Sequence, residues 1–172
     1  LIEVARITRS IHKLEPVSGV SKLTHFLNHY EAQLSDHRLS PLLRSGMDLF
    51  AELNQETTAL KLCHNDLNHS NFVSGNNLFI LDWEYASLND PYFDLATIIE
   101  YHQLSDSKIE EFINHYSQNS ESIDIKKLDQ WRQLTDYLSI FWLMMLEKYA
   151  TMSGKEKAWM IDLERRLSKK KG

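Results

Sequence analysis

The stretch HNDLNHSN, His64–Asn71, decides how the rest of the chain is read. It holds two His, three Asn and one Asp, and an apolar Phe72-Val73 pair follows at once. A run this polar between apolar segments reads as a solvated turn, a helix cap or an active-site loop held on a scaffold. Its flanks bear on the choice. Leu60 to Leu62 reads as a short extended piece. Phe72-Val73 and Leu78 to Leu81 read as two short strands around the turn sequence SGNN, Ser74–Asn77. Asp82 follows the second strand directly.

Outward from this centre the pattern is helical. Val4, Ile7, Ile11 and Leu14 recur at spacings of three and four, a first helix that should stop at Glu15-Pro16. Ser21 is placed to cap a second helix with Leu23, Phe26, Leu27, Tyr30 and Leu34 on one face. Ser40-Pro41 opens a third that buries Leu43, Met47 and Phe50. Asp90-Pro91 opens a fourth, with Phe93, Ile98 and Ile99 inward. Ser107 and Glu110 form a candidate capping box for a fifth. A long helix is expected from about Asp124 to Ala150, and a last one from Lys155 to Leu167 ahead of a basic tail. The expected fold class is α+β, mostly α: a single domain of helices with one short hairpin at its middle.

Composition narrows the function. A formal net charge of −5 offers no basic face for nucleic acid. The apolar run Ile140 to Leu146 has seven residues, against about 20 for a membrane span. The one cysteine, Cys63, excludes an internal disulfide and a cysteine-rich zinc site and suits a reducing cytoplasm. No His pair at i,i+4 carries a Glu in metal-binding order. The chain has no initiator Met and starts inside a helical pattern, so we read it as a piece whose N-terminal part is missing.

Lys61 and Lys108 bracket 46 residues without Lys or Arg, and those residues include seven acids: Asp66, Asp82, Glu84, Asp90, Asp94, Glu100 and Asp106. Carboxylates crowded without cations repel one another. A metal ion, a cationic ligand, backbone donors or simple exposure could each compensate. Asp82 argues against exposure, because a carboxylate at the end of a buried strand is costly unless paired or metal-bound.

The spacing His64-x-Asp66-x4-Asn71, then a hairpin, then Asp82 has a mechanical reading. Phosphoryl transfer from a nucleotide needs a carboxylate to accept the substrate hydroxyl proton and oxygen ligands for Mg²⁺. Asp66 suits the first role. The Asn71 amide oxygen and the Asp82 carboxylate suit the second, and a hairpin would bring residues 71 and 82 together.

At this point the residues resemble a known family. CHNDLNHSNFV followed by LFILDWEYASLNDPYFDLATIIE, within Leu62 to Glu100, is similar to the catalytic core of the choline/ethanolamine kinases and their aminoglycoside-phosphotransferase-like relatives. HND, DWEYA and NDPYFDLA look most like bacterial choline kinases and thiamine kinases. ARITRSIHKLEP resembles the helix after the interlobe hinge, and YLSIFWLMMLEKY, more weakly, an aromatic helix lining the acceptor pocket. The resemblance implies the C-terminal lobe of a protein-kinase-like fold, ATP, Mg²⁺ and transfer to a small-molecule hydroxyl. It implies Asp66 as catalytic base, Asn71 and Asp82 as Mg²⁺ ligands, and Glu84 as a second acid near metal or substrate. His64 and Asp94 are implied as loop supports. The glycine-rich phosphate loop and the strand Lys belong to an N-terminal lobe that these residues lack, so the fragment alone is expected to be inactive.

Asn65 could touch substrate or bond loop backbone. Trp83 and Trp142 could be plain core, yet aromatic faces and nearby acids also attract a cationic alcohol such as choline, ethanolamine or thiamine. An aminoglycoside acceptor is the alternative within this class. A non-catalytic kinase-like binding module is the alternative outside it.

Overall fold

In the computed structural model, which describes residues 1–15, 23–57, 59–118 and 122–169, helices dominate. The order is α1 (Ile2–His12), α2 (Leu23–Leu34), α3 (Ser40–Glu56), β1 (Lys61–Cys63), a 3-10 turn (His69–Asn71), β2 (Phe72–Ser74), β3 (Leu78–Ile80), β4 (Ser87–Asn89), α4 (Pro91–Tyr101), α5 (Asp106–Ser117), α6 (Ile125–Tyr149) and α7 (Gly154–Lys169). No helix among the described residues is long and apolar enough to cross a membrane. The expectations for Pro16, Ser21 and the end of the basic tail lie outside the described residues.

The chain divides into two compact units: Leu1–Lys22 with Thr57–Arg132, and Leu23–Glu56 with Gln133–Gly172. In the first unit the hairpin forms as expected, with Phe72 opposite Ile80 and Ser74 opposite Leu78. A second antiparallel pair, β1 with β4, joins Lys61 to Asn89 and Cys63 to Ser87. β4 has only three residues, SLN, too few for an alternating pattern to declare it. The two pairs bracket the polar loop.

The core of this unit gathers Ala5 and Ile11 from α1, Leu67 from the loop, Ile80, Leu95, Ile98 and Ile99 from α4, Phe112 and Ile113 from α5, and Leu128. The fourth helix differs from the one-faced element expected. Phe93 to Ile99 are all buried, seven residues in succession. A helix can be buried all round only if its polar groups are satisfied. Thr97 donates to Phe93 O at 2.8 Å, and Asp94 is taken up by the loop, as shown below. Asp90 caps the helix by accepting Tyr92 N–H at 3.0 Å. The capping box expected at Ser107 is displaced: α5 begins at Asp106, and Ser105 holds the cap position.

In the second unit, α3 starts at Ser40 itself and buries Leu42, Leu43, Gly46, Phe50 and Leu53, with Met47 only half-buried. Gly46 meets the aromatic side of α6. A Cβ there would lie 2.5 Å from Phe141 Cζ and 2.9 Å from Tyr137 Cβ. The Tyr30 ring packs on Phe141 at 5.8 Å.

Candidate active site

The polar loop leaves β1 and is held almost wholly through its main chain. Asp94 Oδ2 accepts His64 N–H at 2.8 Å, and Oδ1 accepts Asn65 N–H at 2.8 Å. His64 bonds backbone with both ring nitrogens. Leu81 O only accepts, so Nε2 carries the hydrogen and donates to it at 2.9 Å. Nδ1 then accepts Asp66 N–H at 3.3 Å. His64 and Asp94 are both fully buried.

Asp66 is half-buried at the crest of the loop. Asn68 Nδ2 donates to its Oδ1 at 3.0 Å. The Asn71 amide donates to Asp66 O at 2.8 Å and to Asp66 Oδ2 at 2.9 Å. Those two bonds fix which way the Asn71 amide faces. Its Oδ1 points away from Asp66 and takes no hydrogen bond among the described residues. Leu81 N–H donates to Asn71 O at 2.9 Å, so the residue before Asp82 is pinned to residue 71. The structure thus brings Asp66, Asn71 and the strand end carrying Asp82 together.

Asp82 departs from expectation in one respect. Its outward strand neighbours Phe79 and Leu81 are exposed, and the carboxylate is exposed too. Desolvation therefore does not call for a partner there. Its backbone stands at φ 61°, a left-handed conformation that Asp reaches more readily than most non-glycine residues.

The seven acids of the cation-free interval are compensated in different ways. Asp90 is paired with Lys127 at 2.6 Å and accepts Thr57 Oγ1–H at 2.8 Å. Glu100 is paired with Arg132 at 2.6 Å. Asp94 receives His12 Nε2–H at 3.0 Å in addition to the loop amides. Asp106 lies in the first turn of α5, where the helix dipole favours it. Asp66 is held by amides. Glu84 lies beside the Tyr85 phenol. The Asp82 carboxylate has neither hydrogen bond nor ion pair among the described residues. Burial, then the charges of Glu84, Asp66 and Asp82, push the Tyr85 phenol above its usual range. That phenol therefore stays protonated beside three carboxylates.

Trp83 gives its indole N–H to Ile80 O at 3.0 Å and sets its ring edgewise on His64 at 4.8 Å. It remains 42% exposed. Trp142 belongs to the second unit, where it faces Trp159 at 6.3 Å. The Asn65 side chain is occupied by backbone and neighbouring amides rather than turned to an open space. Two residues of this site escaped the sequence reading. His12 looked like one more turn of the first helix, yet it joins Asp94 through Nε2 and accepts the Tyr116 hydroxyl at Nδ1, 2.7 Å away. Asn89 sits in the short strand β4. His12 lies off the stripe of Val4, Ile7, Ile11 and Leu14, so no pattern within the helix singled it out.

These features define the class: a kinase-like fold. The chain superposes on the choline kinase LicA of Streptococcus pneumoniae with a TM-score of 0.77 at 23% identity, over 98% of this chain and 61% of that one. It superposes on a choline/ethanolamine kinase family protein of Mesorhizobium loti with a TM-score of 0.78 at 19% identity, over 97% of this chain and 60% of that one. Residues 1–131 match the phosphotransferase enzyme family, and the chain belongs to that family. In sequence it is 37% identical over 113 residues to Protein LicA of Haemophilus influenzae, covering 61% of this chain and 42% of that protein. The chain thus spans under half the length of this relative. The expected α+β, mostly α fold and the expected family are both borne out.

Proposed function

We propose that the whole protein carrying this chain is an ATP-dependent kinase of a small cationic alcohol, with choline, ethanolamine or thiamine as acceptor. Asp66 is the general base. Its carboxylate takes the proton of the acceptor hydroxyl as that oxygen bonds to the γ-phosphorus. The bond from phosphorus to the bridging oxygen breaks, and ADP leaves with the electron pair. Asn71 Oδ1 and the Asp82 carboxylate are the protein ligands for Mg²⁺, which when bound neutralises phosphate charge. Two oxygen donors and no nitrogen or sulfur suit a hard cation that keeps water and phosphate in its shell. The observation that carries the reading is the Asn71 amide. It gives both hydrogens to Asp66, so its oxygen is left for a cation beside Asp82.

Two surfaces support the substrates assigned. Val73 and Phe79 are cross-strand partners, and with Leu81 they form an exposed apolar face that ends at Asp82. A purine ring on that face would carry its phosphates toward the carboxylate. The exposed Trp83 ring and Glu84 attract an ammonium group. The activity is assigned to the whole protein and not to residues 1–172 alone, which hold no glycine-rich phosphate loop.

The test is a coupled ATP-consumption assay on the full-length protein with choline, ethanolamine, thiamine and kanamycin in turn. Turnover with one of the first three, reduced about 10²- to 10⁴-fold by Asp66→Ala without loss of folding, supports the proposal. Turnover with kanamycin alone would reassign the acceptor. No ATP consumption with any of the four would favour another alcohol acceptor or a binding module.

A further inference from the structure

Asn65 stands at φ 66°, a left-handed conformation that Asn tolerates better than most residues. Its side chain reaches away from the loop. Nδ2 donates to Tyr85 O at 2.9 Å and to Ser87 Oγ at 2.9 Å. Oδ1 accepts Asn89 Nδ2 at 2.9 Å. Asn89 in turn accepts Asp90 N–H at 2.8 Å through its own Oδ1. The donors run one way, from the Asp90 amide through Asn89 and Asn65 to the Tyr85 carbonyl. Turning either side-chain amide over sets donor against donor and acceptor against acceptor. Both Asn65 amide hydrogens are spent, and neither is left for a ligand.

The loop therefore grips the connection 81–89 at two points. His64 holds the near end through Leu81 O, next to Asp82. Asn65 holds the far end through Tyr85 O and Asn89, next to Glu84. The two side chains come from successive residues, and Asp66 follows them directly.

We propose that Asn65 and Asn89 form an amide clasp that positions Glu84 and Tyr85 against Asp66, separately from the His64 grip that positions Asp82. Both are positioning residues rather than contacts to substrate. The clasp acts on the acceptor side of the reaction, and in that it rests on the phosphoryl-transfer reading above. Asn suits both places because each needs a donor and an acceptor on one planar group, Asn65 giving two hydrogens and accepting one, Asn89 giving one and accepting one.

The variants are Asn65→Gly, which keeps the left-handed backbone without strain, Asn89→Ala, and the two combined, all in the full-length protein. Each single change is expected to lower kcat/KM for the acceptor by about tenfold or more, while KM for the nucleotide stays within about twofold, the scale of losing a buried hydrogen bond. The double variant is expected to be little worse than the weaker single, as for two ends of one link. Equal movement of both KM values, or losses that multiply in the double variant, would overturn the clasp. Amide hydrogen exchange gives a readout that needs no activity. Asn89→Ala should speed exchange at residues 65–67 and 86–88, and unchanged exchange there would also overturn the proposal. If the unaltered protein consumes no ATP with any acceptor, the phosphoryl-transfer reading falls, and exchange alone decides the clasp.

Discussion

Asp94→Asn isolates the buried carboxylate that carries the loop. Asp94 accepts three hydrogens: His64 N–H at 2.8 Å and His12 Nε2–H at 3.0 Å on Oδ2, and Asn65 N–H at 2.8 Å on Oδ1. An amide of the same shape must turn its NH₂ toward one side. The less damaging choice faces Asn65, which keeps two bonds as neutral ones and sets one donor against another. A buried donor without a partner costs roughly 1–3 kcal/mol, and each bond that loses its charged acceptor is weakened by about 1 kcal/mol. The sum is about 3–5 kcal/mol, a large part of a typical domain's stability of about 5–15 kcal/mol. With an m-value of about 2 kcal/mol/M, the urea midpoint should fall by roughly 1.5–2.5 M. Unfolding followed by both tryptophan emission and circular dichroism checks this, since coincident curves are needed to treat the transition as one step. A midpoint shift under about 0.3 M at constant m would refute the assignment of the loop's support to Asp94.

Other expectations test the rest of the framework. Gly46→Ala should destabilise by about 1–3 kcal/mol through overpacking, because the added Cβ would lie 2.5 Å from Phe141 Cζ; thermal melting reads this, and an unchanged midpoint would mean the two helices separate freely. Lys127→Met should cost about 1–3 kcal/mol, less than a fully buried pair, because Asp90 keeps Thr57 and the Tyr92 amide; denaturant unfolding reads the loss, and an unchanged midpoint would refute a stabilising role for the pair. Burial, then the charges of Asp94 and Asp90, push the Cys63 thiol up. The native protein should therefore resist a thiol reagent at pH 8 and react fully in denaturant. The unfolded thiol loses its proton first, so the Cys63 contribution to stability is complete at neutral pH and falls as pH rises past about 8.5. Rapid labelling of the native state would refute the burial.

Much of the site was legible because its chemistry is written in consecutive residues. Asp66 and Asn71 lie five apart on one loop, and the turn at Ser74–Asn77 announces the hairpin that returns the chain to Asp82. Asp90-Pro91 announced the start of α4 for an equally local reason, a cap bond spanning two residues. What could not be read depends on distance along the chain. His12 meets Asp94 across 82 residues, and no local pattern encodes that partner. The cations for Asp90 and Glu100 come from α6, beyond the interval whose charge imbalance drew attention. β4 is too short to show a period, and its Asn89 acquires meaning only against Asn65. The burial inferred for Asp82 failed because an apolar strand of three residues in a lone hairpin keeps one face open to water.

The bonds that frame the loop address main-chain atoms: Asp94 grips two backbone amides, and His64 bonds one backbone amide and one carbonyl. A frame of this kind is indifferent to the side chains at the positions it holds. Leu81 can be exchanged for another residue without loosening His64, and the outer face of the hairpin can drift in composition while Asp66 stays where it is. The outer face of the hairpin is thus free to change without rebuilding the polar loop. His64 and Asp94 themselves have no such latitude, and a library of single substitutions scored by the amount of folded protein should show the contrast as tolerance at 81 beside near-complete loss at 64 and 94.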